Sequence, residues 1–595
     1  MTDAVKKQGA PVGELEFTGR FCGGLIADVK RRGPYFLSDW TDAFRPSNMQ
    51  LVISTVYFLF FVCLSPALAF GTLMGEATDN QLGVVETLMS TAMVGVLYSL
   101  FSGQPLCIQG ATGPELAYTV VFYRLCEQLD IEFLPARVWQ GLWCSLFTIV
   151  LAMTDSCALM SHFTRFVQDI FAGLISKIYL VSAGKSLVDA YINKDREAAF
   201  LTTILCFATF GITMKLKAFK NSIWLNRGVR STLANFSAPI AILIVTCIAN
   251  IWRGKSDIEW LDVPAKFGPS WENPETGNPR PWIVNPFGIN KDFPVWAIFA
   301  TMVPALGLAL LGYLDQNLTT IIVNRPASKL KKPAGYHLDL FMCGVVVYPV
   351  CCIFGLPFTH NSTAPSLMHL LSLTSYKEDA ASTPSELKRQ GSRREVSAVV
   401  EQRFTNFAIH SMIGASLALS PFLKYVPKSV SFGMFLVEGT ITAMAGNQLF
   451  ERAALWLVWE KRNVPKYNFV TKVDRRQMQL YTIIQGSCLI VLFAMTEVKQ
   501  VAVIFPFFMG SLVFVRKILP RFFTEAELNE LDSAEEKPME DELVGAVNSN
   551  PPPVIAAEPS PAVVKSEVVL DSTPAVTEQT AAGPNGHEQG VVVGA

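Results

Sequence analysis

Asp315 closes a long apolar run, VPALGLALLGYLDQNLTT, and Thr319 lies one helical turn further on the same face. An unpaired carboxylate in hydrocarbon costs about 2.5–3.5 kcal/mol on insertion scales, so an acid here marks a functional site. Beyond a basic loop the chain reads GLPFTHNSTAPSLMHLLSL, apolar but broken by Pro357 and Pro365, with Asn361, Ser362 and Thr363 between them. Much earlier, GQPLCIQGATGPELAY is broken the same way, and Thr112-Gly113-Pro114 matches Thr363-Ala364-Pro365 as punctuation. Paired broken segments in the two halves of a membrane chain point to a transporter's binding site. Helices starting near Gly113 and Thr363 would each present free N–H groups and about half a positive charge at the N-terminus. Facing each other near the midplane, they would hold a small oxyanion. The plainer alternative is that the prolines only kink packing helices.

These residues need a membrane to sit in, and the composition supplies one. Of 595 residues, 50% are hydrophobic and 17% charged, with a mean hydropathy of +0.33. Soluble chains carry about 25% charged residues. The net charge of −1 hides strong segregation, and the 12 cysteines sit in or beside apolar segments without a CxxC pair, as small buried hydrophobes do. No apolar h-region opens the chain, so no cleavable signal peptide is expected.

Apolar segments fall near 48–74, 84–102, 105–128, 136–154, 160–182, 197–214 and 232–252, then near 293–321, 338–356, 358–373, 403–422, 427–446, 479–497 and 500–516: seven and seven. The expected organisation is a disordered 1–17, a cytoplasmic amphipathic segment over 18–44, a first repeat over 45–252, an extracellular loop over 253–292, a second repeat over 293–518 and a mostly disordered cytoplasmic tail over 519–595. Basic residues crowd alternate loops (Lys215 to Arg230, Arg325 to Lys332, Lys388 to Arg394, Lys461 to Arg476), which places both termini in the cytosol.

At this point the chain resembles the bicarbonate-transporter solute carrier family of anion exchangers, sodium–bicarbonate cotransporters and borate exporters. The resemblance rests on TGRFCGGLIADVKRRGPYFLSDWTDA, SLFSGQPLCIQGATGP, TDSCALMSHFTRF, LDQNLTTIIVNRPASKLKKPAGYHLDL, EQRFTNF and FTEAELNELD. Asp315-Gln316, Thr154-Asp155-Ser156 and KLKKPAGYHLDL look most like the sodium-coupled cotransporters. The resemblance implies an all-α polytopic membrane protein: two inverted repeats of seven segments, core and gate domains, half-helices meeting at the midplane, and a homodimer in the plasma membrane. It implies substrate bound by Thr112, Gly113, Pro114, Ser362, Thr363 and Asp315, with Asp315, Thr319 and Thr363 as oxygen ligands for co-transported Na+ and no other cofactor. Two positions, Thr119 and the Met368-His369 pair, look instead like the borate exporters.

Anion exchangers of the family place an arginine where this chain has Pro365. Two helix N-termini give about +1 and Asp315 gives −1, so a monovalent anion leaves about −1, which a Na+ brings near zero. The leading expectation is Na+-coupled transport of bicarbonate or carbonate. The alternatives are borate or bicarbonate exchange without Na+, or a non-transporting membrane scaffold. No P-loop, nucleophile elbow or metal-ligand cluster is present, so neither an enzyme nor a nucleic-acid partner is expected. Among secondary candidates, Asp155 and Arg165 are expected to form a structural pair, and Glu115 to be a first-turn helix acid. Glu438 is either a gate ion residue or a structural hydrogen-bonder. His360 and His369 flank the second broken segment as candidates to titrate during transport.

Overall fold

The structure, a computed structural model, describes residues 15–263, 267–272, 277, 279–376, 396–444, 447–457, 468–498 and 502–532. The basic residues Lys388, Arg389, Arg393, Arg394, Lys461 and Arg462, residues 1–14, and the tail beyond 532 lie outside the described residues.

Each expected apolar segment contains a helix. After α1 (Gly23–Arg32), the first seven are α2 (Pro46–Ala77), α3 (Val84–Phe101), α4 (Gly113–Gln128), α5 (Phe133–Met153), α6 (Arg165–Asn193), α7 (Arg196–Ala218) and α8 (Ser237–Asn250). The second seven are α9 (Val295–Val323), α10 (Tyr336–Ile353), α11 (Thr363–Ser372), α12 (Phe404–Ser416), α13 (Lys428–Met444), α14 (Arg475–Glu497) and α15 (Phe505–Ile518), followed by α16 (Glu525–Asp532). Among the described residues, eight helices are long and apolar enough to cross a membrane. Of the other six helices in the two sets of seven, the shortest, α11, has 10 residues and is about 15 Å long, half the ~30 Å hydrocarbon thickness. A two-residue strand precedes each broken-segment helix: β1 (Gln109–Gly110) before α4 and β2 (His360–Asn361) before α11.

Packing repeats with the sequence. The contact of α3 with α12 has its counterpart in α10 with α5, and α2 with α12 in α9 with α5. Likewise α7 with α13 corresponds to α14 with α6, while α6 and α13 pack on each other. Shifting by seven helices therefore maps these contacts onto one another. Two bundles result: α2–α5 with α9–α12 carries the broken segments, and α6–α8 with α13–α15 forms the second.

The N-terminal segment is inside out by soluble standards. Asp28 and Asp39 are 0% exposed, whereas Phe21 is 71% and Leu37 74% exposed. Asp28 accepts from the His337 and Leu338 N–H groups. Asp39 is held by Arg32 at 2.6 Å, Lys332 at 2.8 Å and Arg403 at 3.0 Å. Charges facing protein and apolar side chains facing outward are what a helix at a lipid interface requires.

Asp155 does not pair with Arg165. It accepts from the Thr18 N–H (3.0 Å), the Thr18 hydroxyl and the Gly24 N–H (2.7 Å), while Arg165 bonds Asp169 one turn along α6 at 2.9 Å. Burial pushes the Asp155 carboxyl up, but these bonds outweigh it and hold it below the usual carboxylate range. The correction is physical: α6 carries Arg165 towards its own turn, and three donors from the N-terminal segment fill the space around Asp155.

On the same face, α16 is tied in by its last residue. Asp532 accepts from Arg516 Nη2 (2.5 Å), the Tyr481 hydroxyl (2.8 Å) and the Phe166 N–H (3.2 Å), joining α15, α14 and α6. Truncation after about residue 540 keeps this anchor, and flux in vesicles is expected to be unchanged. Truncation before Glu525 breaks a buried ion pair, a loss of about 3–5 kcal/mol, and should lower the melting temperature by several degrees. Loss of flux on truncation after about residue 540 would show that the removed tail docks on the membrane domain.

Candidate functional site

The two broken segments meet. β1 and β2 pair antiparallel, Gln109 opposite Asn361 and Gly110 opposite His360, which brings the N-termini of α4 and α11 to one place. Thr112 and Ser362 are the N-cap residues, and neither side chain caps its own helix. First-turn N–H groups on both helices are thus left without the usual side-chain acceptor, as an anion site needs.

Asp315 lies in α9 beside this junction, 4% exposed. The Thr112 hydroxyl donates to Asp315 Oδ2 at 2.8 Å. One turn on, Thr319 Oγ1 is 2.7 Å from Thr363 Oγ1 and donates to the Asn361 carbonyl at 3.1 Å. The carboxylate thus touches the start of α4, and the threonine touches the start of α11. Thr363 is exposed, whereas Thr319 is buried. Gly113 has little room beside it: a Cβ there would come 3.0 Å from the Tyr179 ring of α6. All seven residues expected to bind substrate or Na+ (Thr112, Gly113, Pro114, Asp315, Thr319, Ser362 and Thr363) therefore fall on these two helix starts and the facing turn of α9.

Extended backbone inside a membrane must find partners for its polar groups. Asn406 of α12 donates to the carbonyls of Pro105 (2.9 Å) and Cys107 (2.7 Å). His369 Nδ1 faces the Leu106 carbonyl at 2.9 Å, with Nε2 2.5 Å from the Thr405 hydroxyl. His410 Nε2 lies 3.0 Å from the Gln109 carbonyl. Both nitrogens of His369 are thus engaged in bracing the first broken segment. His360 bonds the Tyr348 hydroxyl through Nε2 at 2.9 Å. An amide cluster locks the strand pair: Gln109 Nε2 donates to Asn361 Oδ1 (2.8 Å), and Gln316 donates to the Tyr98 hydroxyl (2.8 Å). These braces are missing from the sequence expectations. Gln104, whose Oε1 accepts from the Leu106 N–H at 3.2 Å, Gln109, Asn361 and Asn406 are polar residues in apolar runs, and asking where the broken backbone finds its partners points to them.

Glu115 is more than a first-turn acid. Its Oε1 accepts from Thr119 at 2.9 Å and from Arg137 of α5 at 3.3 Å, and the Arg137 guanidinium lies 4.2 Å from the Phe358 ring centre. The pair is neutral as a unit, so the charge count around Asp315 stands. Glu438 in α13 interacts electrostatically with Lys217 of α7 and with Tyr179 of α6, the ring that lies against Gly113.

The sequence matches the HCO3- transporter integral membrane domain over residues 20–197 and 185–536. The chain belongs to this family. It is an integral, multi-pass membrane protein, and the family is one of transporters rather than enzymes. The chain is 34% identical over 557 residues to the Homo sapiens Band 3 anion transport protein, covering 90% of this chain and 59% of that protein. It is 34% identical over 589 residues to the Homo sapiens Sodium bicarbonate cotransporter 3 (87% and 46% covered) and 33% identical over 589 residues to the Homo sapiens Sodium-driven chloride bicarbonate exchanger (87% and 50%). The chain thus spans about half the length of these relatives. In fold it is similar to the transmembrane domain of the cyanobacterium bicarbonate transporter BicA, with TM-score 0.52 and 14% identity over 78% of this chain and 98% of that one. The overall structure of SLC26A9 gives TM-score 0.53 and 12% identity over 82% and 70%. The inverted seven-segment repeats agree with these neighbours.

Proposed function

We propose that this HCO3- transporter family member is a secondary active transporter that moves bicarbonate or carbonate together with Na+. The carrying observation is the buried Asp315, bonded to Thr112 at the start of α4, with Thr319 one turn away bonded to Thr363 at the start of α11. The anion sits against the uncapped N-termini, where Thr112, Gly113, Pro114, Ser362 and Thr363 position it. Na+ is held by Asp315, Thr319 and Thr363, hard oxygen ligands suited to a hard cation. Its charge offsets Asp315, so the dipoles of α4 and α11 are left to meet the anion. Pro365 offers no fixed positive charge, which favours a mobile one. The protein works as a homodimer in the plasma membrane, with both termini in the cytosol.

Borate or bicarbonate exchange without Na+ is the second reading, favoured by Thr119, where the family's animal members carry a glutamate. In this chain Thr119 donates to Glu115 one turn earlier on α4. The deciding experiment is flux in reconstituted vesicles, bicarbonate against borate, with and without Na+. Bicarbonate flux that rises steeply with Na+ supports cotransport. Equal flux of either anion in Na+-free buffer supports exchange.

A further inference from the structure

Helices α2 and α13 belong to different bundles, yet they are joined at three successive levels. Phe70 packs on Phe435 with ring centres 5.2 Å apart, and both rings contact Tyr179, which lies against Gly113 at the start of α4. Next towards the 253–292 loop, Thr72 Oγ1 and Ser431 Oγ are 3.2 Å apart. At the top, Glu76 Oε1 is 3.1 Å from Lys428 Nζ. A cavity of about 150 Å³ runs beside this pair from Asp79, Asn80 and Asp262 past Glu76 and Lys428 down to Thr72, which lines its inner end. The seam therefore runs from the binding site to a polar vestibule.

Lys428 has a second partner, Glu259 Oε2 at 3.1 Å, which lies in the 253–292 loop rather than in α2. The Lys428 N–H donates to the Glu259 carbonyl at 3.0 Å, and Trp260 bridges Pro427, so Glu259 follows the start of α13. Lys428 and Lys194 hold the Glu259 carboxyl below the usual range although burial pushes it up. Among the described residues, Glu76 is the ion-pair partner that ties Lys428 to the bundle that carries the broken segments. The repeat makes the seam one-sided: shifting α2 and α13 by seven helices gives α9 and α6, which make no comparable contact among the described residues.

We propose that Glu76 and Lys428 form a charge latch over a gate made of Thr72–Ser431 and Phe70–Phe435, closing the site towards the 253–292 loop. The latch must open in each transport cycle. The backbone bond from the Lys428 N–H to the Glu259 carbonyl, which does not depend on the Glu259 carboxylate, holds the start of α13 in place beneath the latch. This inference rests on the transporter reading but on no particular substrate.

The test joins two measurements on the full chain in vesicles. In the Thr72→Cys, Ser431→Cys double variant, oxidative cross-linking should abolish flux and reductant should restore it, while each single variant is insensitive to the oxidant. Flux that continues in the cross-linked protein overturns the gate. The second measurement needs no flux. A membrane-impermeant thiol reagent is applied from the loop side, and modification at position 72 in Thr72→Cys is followed by peptide mass spectrometry. Adding Glu76→Gln, an isosteric change, should raise the rate about two- to fivefold, the ratio expected from losing a partly exposed ion pair. Adding Glu259→Gln should leave it within about 1.5-fold of the parent, since the Glu76 contact remains. An unchanged rate with Glu76→Gln, or an equal rise with Glu259→Gln, overturns the latch. Should no ion be transported at all, the labelling result still decides it, separately from the cotransport reading.

Discussion

Asp315→Asn is expected to remove Na+-stimulated flux while the protein still folds and reaches the membrane. Asparagine keeps the shape of the side chain, and its carbonyl can still accept the Thr112 hydroxyl that now lies 2.8 Å from Oδ2. What disappears is one negative charge in a buried site. Without it the two helix N-termini leave about +1, so a cation entering the site meets repulsion rather than attraction. The half-saturating Na+ concentration should rise at least about tenfold, equivalent to ~1.4 kcal/mol. Thr319→Val should shift it less, because a neutral hydroxyl ligand is lost and the Asn361 carbonyl gives up only one bond. The measurement is initial bicarbonate flux against Na+ concentration, with detergent-extracted yield as the folding control. Wild-type Na+ activation in Asp315→Asn would remove Asp315 from the cation site.

How far the sequence reached follows from what kind of signal each feature leaves. The fourteen segments are long apolar runs, and both half-helices announce themselves by paired prolines, so their starts at Gly113 and Thr363 could be read directly. The strand pairing of Gln109 with Asn361 could not be read, because partners 252 residues apart leave no local periodicity. The same holds for Asp155. A basic residue ten positions away looked like its partner, but its donors come from Thr18 and Gly24, more than 130 residues earlier. His369 looked titratable because histidines near a broken helix attract that reading. Its neighbours show a brace, both nitrogens spent on holding a peptide segment and a threonine. In the N-terminal segment the apolar spacing and the basic run read as a helix at the membrane surface, but the burial of Asp28 and Asp39 against distant residues such as His337 and Arg403 left no local signal.

Bulky apolar replacement at the two helix starts should stop transport altogether. Thr112 is buried against Asp315, and Thr363 is exposed beside Thr319, so the two positions bracket the space an anion must enter. Thr363→Leu adds volume where there is open space, so the packing cost should stay below the ~1–3 kcal/mol typical of overpacked cores. Thr112→Leu carries that cost and also strips a hydroxyl from a buried carboxylate, a bond worth about 1.5–3 kcal/mol. It should therefore lower stability measurably as well as abolish flux. Thr112→Val and Thr363→Val separate the two effects, because each removes the hydroxyl without filling the space. At Thr363, valine is expected to raise the Na+ requirement and leave the anion half-saturation nearly unchanged, whereas leucine should leave no measurable flux with either ion. A melting curve within about 1 °C of wild type for Thr363→Leu corresponds to no more than ~1 kcal/mol lost in a chain this size, too little to blame on unfolding. If Thr112→Leu and Thr363→Leu both transport bicarbonate with unaltered half-saturation, the anion does not pass between the starts of α4 and α11.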